Sequence, residues 1–343
     1  MTDLAHTEPA PPRGPADPVG GTPSRRPGSV RRTTTLDMAR PQGLFGPVVA
    51  DVRGRDLATD ATGTGRVVDE VGARIEIDQR SGCVTSVAVE RGEVPDLVGV
   101  SVRSGFGRAL AQLLAEEAVS RSLRYSLLDD LGGALLVSGY TLLREGGLDR
   151  SPEVAAAAAE AQADICVGWA RDGELIAQLR DTGLSPIPLG PAAPVLEDPL
   201  DGGAVDPLAW HPTAPMAAGT VRRRRRLDVV LAPDGRHRVE SHLRDSYLGP
   251  DGEMVMHEYL LAAALDHDRR LVEVEVGTQV LPWAVCPGAA ASATGVLGLG
   301  VDELPARVRA ALVGPSTCTH LNSTLRGLAD VTALEAHGAA APG

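Results

Sequence analysis

The feature that most constrains this 343-residue chain is that one half of it aligns with the other. Arg31-Arg32-Thr33-Thr34-Thr35-Leu36-Asp37 falls on Arg222-Arg223-Arg224-Arg225-Arg226-Leu227-Asp228, and Val68-Asp69-Glu70 falls on Met256-His257-Glu258 after a three-residue gap. Ile75 to Asp78 then lies on Ala263 to Asp266, Val84 to Val89 on Leu271 to Val276, Pro95 on Pro282 and Gly99 on Cys286. An eleven-residue deletion in the first half restores register, so that Ser120-Arg121-Ser122-Leu123 meets Cys318-Thr319-His320-Leu321. Matches that keep one order with few gaps imply duplication. The expectation is two lobes of one fold, packed together as an intrachain pseudodimer.

The length suits two domains, and composition marks their limits. Residues 1–30 are rich in Pro, Gly, Ser and Thr, with too little apolar surface to offset the entropy of folding, and are expected to be a disordered arm. Residues 184–220 carry eight prolines, which exclude an interior helix or a central strand, and read as the linker between lobes 31–183 and 221–335. A short tail, 336–343, follows. In the second lobe Arg224 to Leu231 and Arg236 to Leu243 flank the turn Pro233-Asp234-Gly235, a hairpin signal. Tyr259 to Leu265 and Leu271 to Val280 follow as strands, the latter alternating Val with Glu. Ala-rich and Leu-periodic segments from Pro287 to Leu334 are helical, as is the Ala-rich stretch from Ser151 to Thr182. Strands followed by helices define an α+β lobe, an antiparallel sheet with helices on one face. The arginine run Arg222–Arg226 reads as a solvated edge strand.

A formal charge of −12 argues against nucleic-acid and membrane partners. No apolar run reaches membrane-spanning length and the N-terminus lacks signal-peptide character, so a cytoplasmic location is expected. Four cysteines in so long a chain are too few for a disulfide framework. Gly105-Phe106-Gly107 is no dinucleotide fingerprint, and no G-x-S-x-G elbow is present.

The second lobe concentrates soft and borderline ligands: His257, Cys286, Cys318 and His320. On the expected fold His257 stands at a strand entrance, Cys286 at a strand exit, and Cys318 with His320 at a helix start, where the helix dipole favours thiolate. Two Cys and two His suit a single zinc ion, with iron as the other candidate. Four bound ligands would make a structural site. Three would leave a position open to activate water or a substrate oxygen, with Glu258 or Asp245 as proton carriers. Small buried hydrophobes and a capping or core histidine are the alternative. Against that, the aligned positions of the first lobe are Asp69, Gly99, Ser120 and Ser122, so all four candidate ligands are replaced together by small or polar residues, as in a degenerate copy.

The series Arg-x-Arg-x-Leu-Asp, Met-His-Glu, Val-Cys-Pro-Gly-Ala and Cys-Thr-His-Leu resembles a bacterial family of uncharacterised proteins, domain of unknown function 2889, over Val221 to Leu334. Cys166-Val167-Gly168-Trp169 is similar to that family's C-terminal stretch. More distantly, Cys286-Pro287-Gly288-Ala289 and the Cys318/His320 pair resemble NifU-like iron-sulfur scaffold proteins, although the scaffold's early Cys is absent and its adjacent His-Cys is here Cys-x-His. Three functions follow as expectations: a metal-dependent enzyme on a small organic substrate, a non-catalytic metal-stabilised scaffold or binding module, and a metal-free structural protein.

Overall fold

The computed structural model describes residues 12–146, 152–183 and 185–339. Its frame is one eight-stranded antiparallel sheet in the order β4-β3-β2-β1-β5-β6-β7-β8. The first four strands are β1 (Ser29–Ala39), β2 (Val48–Thr59), β3 (Gly65–Ile77) and β4 (Val84–Arg91). The second four are β5 (Val221–Val230), β6 (Arg238–Gly249), β7 (Gly252–Leu265) and β8 (Leu271–Val280). After the first set come α1 (Phe106–Leu113), α2 (Ala115–Ser120), α3 (Leu123–Asp129), α4 (Leu131–Arg144), α5 (Pro152–Gln162) and α6 (Glu174–Thr182). After the second come a 3-10 segment (Cys286–Val296), α7 (Leu304–Ala311), α8 (Thr319–Gly327) and α9 (Val331–Ala339). Two strand-then-helix units joined in one sheet make the protein α+β, consistent with duplicated lobes.

The join is close to two-fold symmetric. β1 and β5 pair antiparallel with Thr34 opposite Arg225, the residues that the repeat aligns. Equivalent residues therefore face each other reciprocally: Arg31 lies opposite Asp228, and Asp37 opposite Arg222. Both contacts are ion pairs, Arg31 Nε to Asp228 at 2.5 Å and Arg222 Nε to Asp37 at 2.6 Å. Each unit also has a bulge at the corresponding place, after Asp56 in the β2–β3 ladder and after Asp245 in the β6–β7 ladder. The two larger hydrophobic clusters, one per unit, fill the helix side. Each borrows across the join, Val30 and Ala58 entering the second core and Val221, Tyr247 and Met256 the first.

The arginine run is not a solvated edge. β5 is one of the two central strands, and Arg222, Arg223 and Arg226 are buried. Strand alternation divides the run between the two faces. Arg223 and Arg225 point to the helices, where Asp245 and Asp130 receive them. Arg222 and Arg224 point to the other face and meet Asp37 and Glu197. That other face is covered largely by the segment 185–220, whose first residues line the helix side beside Tyr140 before the chain crosses over. Ala214, Leu208 and Pro194 present carbonyl oxygens to Arg222, Arg55 and Arg244. A proline-rich strap is a source of acceptors with few donors, which is what a face of guanidinium groups requires. Trp210 completes the cover, its ring 5.5 Å beneath Arg224 and its Nε1 donating to Thr22.

The first eleven residues of the expected arm lie outside the described residues, as do the last four of the tail. From Pro12 onward the arm runs beside β8 and its following loop, where Pro12 O and Pro15 O accept from Ala284 N and Leu281 N, and Asp17 N donates to Gln279 O. No described helix is long and apolar enough to cross a membrane.

Candidate metal centre

The β6–β7 hairpin and the start of α8 build the site. β7 extends back to Gly252, so His257 lies within the strand, directly opposite Asp245 of β6, and not at a strand entrance. Cys318 is the N-cap of α8, extended in backbone, and His320 stands in its first turn. The imidazole of His320 stacks on that of His257 with centroids 3.7 Å apart and planes inclined by 14°. His320 Nε2 lies 3.3 Å from Asp245 Oδ2, and Cys318 Sγ lies 3.7 Å from His320 Nδ1. Asp245, His257 and His320 each offer a ligand atom within 4.8 Å of the others, a buried group that could hold one metal ion.

The remaining candidates are placed differently. Alternation along β7 sends Glu258 to the strap side, where it accepts from His242 Nε2, Arg244 Nε and the Val19 N–H. Asp245, read from sequence as a proton carrier, is the carboxylate member of the group. Cys286 begins the 3-10 segment inside the second core, its Sγ near Gly168, and is not a member.

Electrostatics separate the side chains. Burial works against the Asp245 carboxylate, but the Arg223 charge and its paired Nε and NH2 hydrogen bonds hold its pKa far below the usual range. Burial disfavours protonation of His320, yet hydrogen bonding to Asp245 and Cys318 raises it to about 9. Burial, followed by the neighbouring His320 charge, drives His257 well down, so it is neutral and able to donate a lone pair. The Cys318 thiol is pushed up by burial and pulled down further by His320, to about 7. Cys286 and Cys166 lack that partner, and burial pushes them up to about 12 and about 11.

Above the group lies a cavity of about 410 Å³, whose walls come from both units. α4 supplies Val137 and Tyr140, the segment after α5 supplies Trp169, and the β8 exit supplies Trp283, while His257, Cys318 and His320 form the polar end. Arg223 and the α4 wall were not singled out in the sequence. The signal for Arg223 was there, since it aligns with Arg32, but it lay inside a run that read as surface charge.

The first unit keeps part of this design. Arg32 grips Asp56 through Nε and NH2 as Arg223 grips Asp245, and Asp69 stands opposite Asp56 where His257 stands opposite Asp245. The position of His320 is Ser122, whose hydroxyl caps α3 by accepting from Tyr125 N–H. Asp56 instead meets His337 from α9 at 3.1 Å.

Fold and site together describe an α+β protein of two strand-then-helix units, consistent with duplicated lobes, with a candidate single-ion centre in the second unit. Residues 221–334 match a protein family of unknown function, DUF2889, which covers that unit and leaves the first outside the match. No curated protein matches the chain. Nothing in these comparisons supports similarity to NifU-like scaffold proteins.

Proposed function

We propose that the protein is a metal-dependent enzyme acting on a small organic substrate, with one zinc or iron ion held by Asp245, His257 and His320. The observation that carries this reading is His257: it reaches a converging ligand group with Nδ1 buried and without a hydrogen-bond partner. An orphaned imidazole nitrogen is costly unless something completes it. Two histidines and a carboxylate suit zinc or non-haem iron and leave coordination positions open, which favours catalysis over a closed structural site. The cavity beside the group provides room for a substrate, which a purely structural ion does not need. A bound ion supplies Lewis-acid activation of water or of a substrate oxygen. Arg223 fixes the Asp245 carboxylate, a supporting contact of the kind that orients metal ligands. Cys318, next to His320, can exchange a proton with the cavity.

One observation favours a second reading. Cys318, His320 and Asp245 stand in line at 3.7 and 3.3 Å, the order of a nucleophile, its base and the group that orients the base. Elemental analysis of full-length protein purified under reducing conditions separates the two. The metal reading expects about one equivalent of ion in wild type, none in His257→Ala, and retention in Cys286→Ser. Metal-free wild type in which iodoacetamide alkylates Cys318 before the other thiols would overturn it and leave the thiol reading standing.

A further inference from the structure

A second cavity, of about 270 Å³, lies on the other side of His320, between the start of α4 and helices α7 and α8. It shares Leu136, Thr319 and His320 with the apolar cavity, so the two chambers adjoin at His320. Its own lining is charged. Arg309 NH2 holds both oxygens of Asp129, at 2.8 and 2.9 Å. Asp130 accepts from Arg225 NH1 and from the Ser323 hydroxyl. Arg223 spends Nε and NH2 on Asp245, and its NH1, 3.6 Å from Asp130 Oδ1, makes no hydrogen bond although the side chain is only 2 % exposed. The Arg326 side chain has neither an ion pair nor a hydrogen bond among the described residues, and its Nε is buried. Arg309, Arg225 and Arg223 are thus matched by Asp129, Asp130 and Asp245, and Arg326 is left over.

A guanidinium without an ion pair, together with a buried arginine N–H that makes no hydrogen bond, lines this cavity and marks a place suited to negative charge, because planar forked donors pair best with oxyanions. We propose that this chamber receives the carboxylate or phosphate head of an organic anion whose apolar body occupies the neighbouring cavity, so that the bond between head and body lies against His320. The apolar chamber suits such a body: in a chain with three Trp in all, Trp169 and Trp283 both line it. The identity of the substrate class rests on the reading of His320 as part of the reactive centre, whereas anion binding by Arg326 does not.

The test is calorimetric titration of full-length protein with benzoate, phenyl phosphate, inorganic phosphate and the neutral analogue benzyl alcohol. Benzoate or phenyl phosphate should bind about tenfold or more tightly than benzyl alcohol, and phenyl phosphate more tightly than inorganic phosphate. Arg326→Gln should erase the preference for the anions, Arg326→Lys should restore most of it, and His257→Ala, which removes the proposed ion but not the arginine, should retain it. Equal binding of charged and neutral probes, or an unchanged preference in Arg326→Gln, overturns the proposal. A preference lost in His257→Ala but kept in Arg326→Gln assigns the anion to the ion and also overturns it. Inorganic phosphate binding as tightly as phenyl phosphate removes the apolar chamber from the site.

Discussion

Asp245 shows how much rests on one side chain. It is fully buried, accepts two hydrogen bonds from Arg223, and stands 3.3 Å from His320, so it is at once half of an ion pair and a member of the ligand group. Asp245→Asn keeps the shape but removes the nearer counter-ion of Arg223, leaving Asp130 at 3.6 Å. Removing one partner of a buried pair costs about 3–5 kcal/mol. Denaturant unfolding should register a loss of that size together with loss of the ion, whereas His257→Ala should lose the ion with a smaller change. The buried histidines of the strap side make a separate prediction. Burial, reinforced by Arg55 and other nearby cations, lowers His211 to about 3, and burial lowers His242 to about 4 despite Glu258. An unfolded histidine takes up a proton near pH 6.5. Between there and the folded values the unfolded chain holds more protons, so stability falls as pH falls. His211→Gln should therefore flatten the acid limb of a stability-against-pH curve from about pH 6.5 down to 3, while leaving the curve above pH 7 unchanged.

At the scale of elements, the β1–β5 ladder decides how arginine is buried. Asp37 serves Arg222, whereas Asp228 serves both Arg31 and Arg226. The two aspartates are related by the repeat but not equal in load. Asp37→Asn and Asp228→Asn should both lower the unfolding midpoint, the second by more, and equal effects would show that the shared contact to Arg226 contributes nothing. The strands and helices of the second unit were largely legible, because Val272, Val274 and Val276 alternate with the charged positions and Leu321, Leu325 and Leu328 keep helical spacing. The back half of the β6–β7 hairpin was not legible. Arg244 and Asp245 on β6 and His257 on β7 are polar where both faces of the sheet are covered, so no alternation of apolar with polar residues announces this part of the two strands. Missing it displaced His257 to a strand entrance and hid its pairing with Asp245.

At the scale of the whole molecule, the sheet is continuous only because the two units meet on β1 and β5. β5 has a property that bears on its origin: Arg222 and Asp228 lie three residues either side of Arg225, so β5 paired antiparallel with a second β5 about Arg225 would again set each Arg222 opposite an Asp228. A chain of residues 185–339, strap included, should therefore form a homodimer in analytical ultracentrifugation, and Asp228→Arg in that chain should abolish it. A monodisperse folded monomer would count against the pseudodimer as the origin of the join. The cavities belong to this scale too. The walls of the 410 Å³ chamber come from α4 of the first unit and from β7, α8 and the 3-10 segment of the second, so neither unit alone encloses it.

Local pattern and self-alignment by themselves determined the α+β class, the order of strands before helices and the division into two like units, with which the structure is consistent, because periodicity and turn chemistry act over a few residues and a repeat is visible wherever it falls. Only the tertiary structure decided which of the candidate ligands converge. His257 and His320 stack, and Asp245 joins them through a strand register. Cys286 stays in the core, and Glu258 falls on the opposite face. It also decided that five consecutive arginines belong at the centre of the sheet. A charge run in sequence carries no record of its partners, and here they are aspartates of neighbouring strands and helices together with a proline-rich strap that offers Glu197 and more carbonyl acceptors than N–H donors.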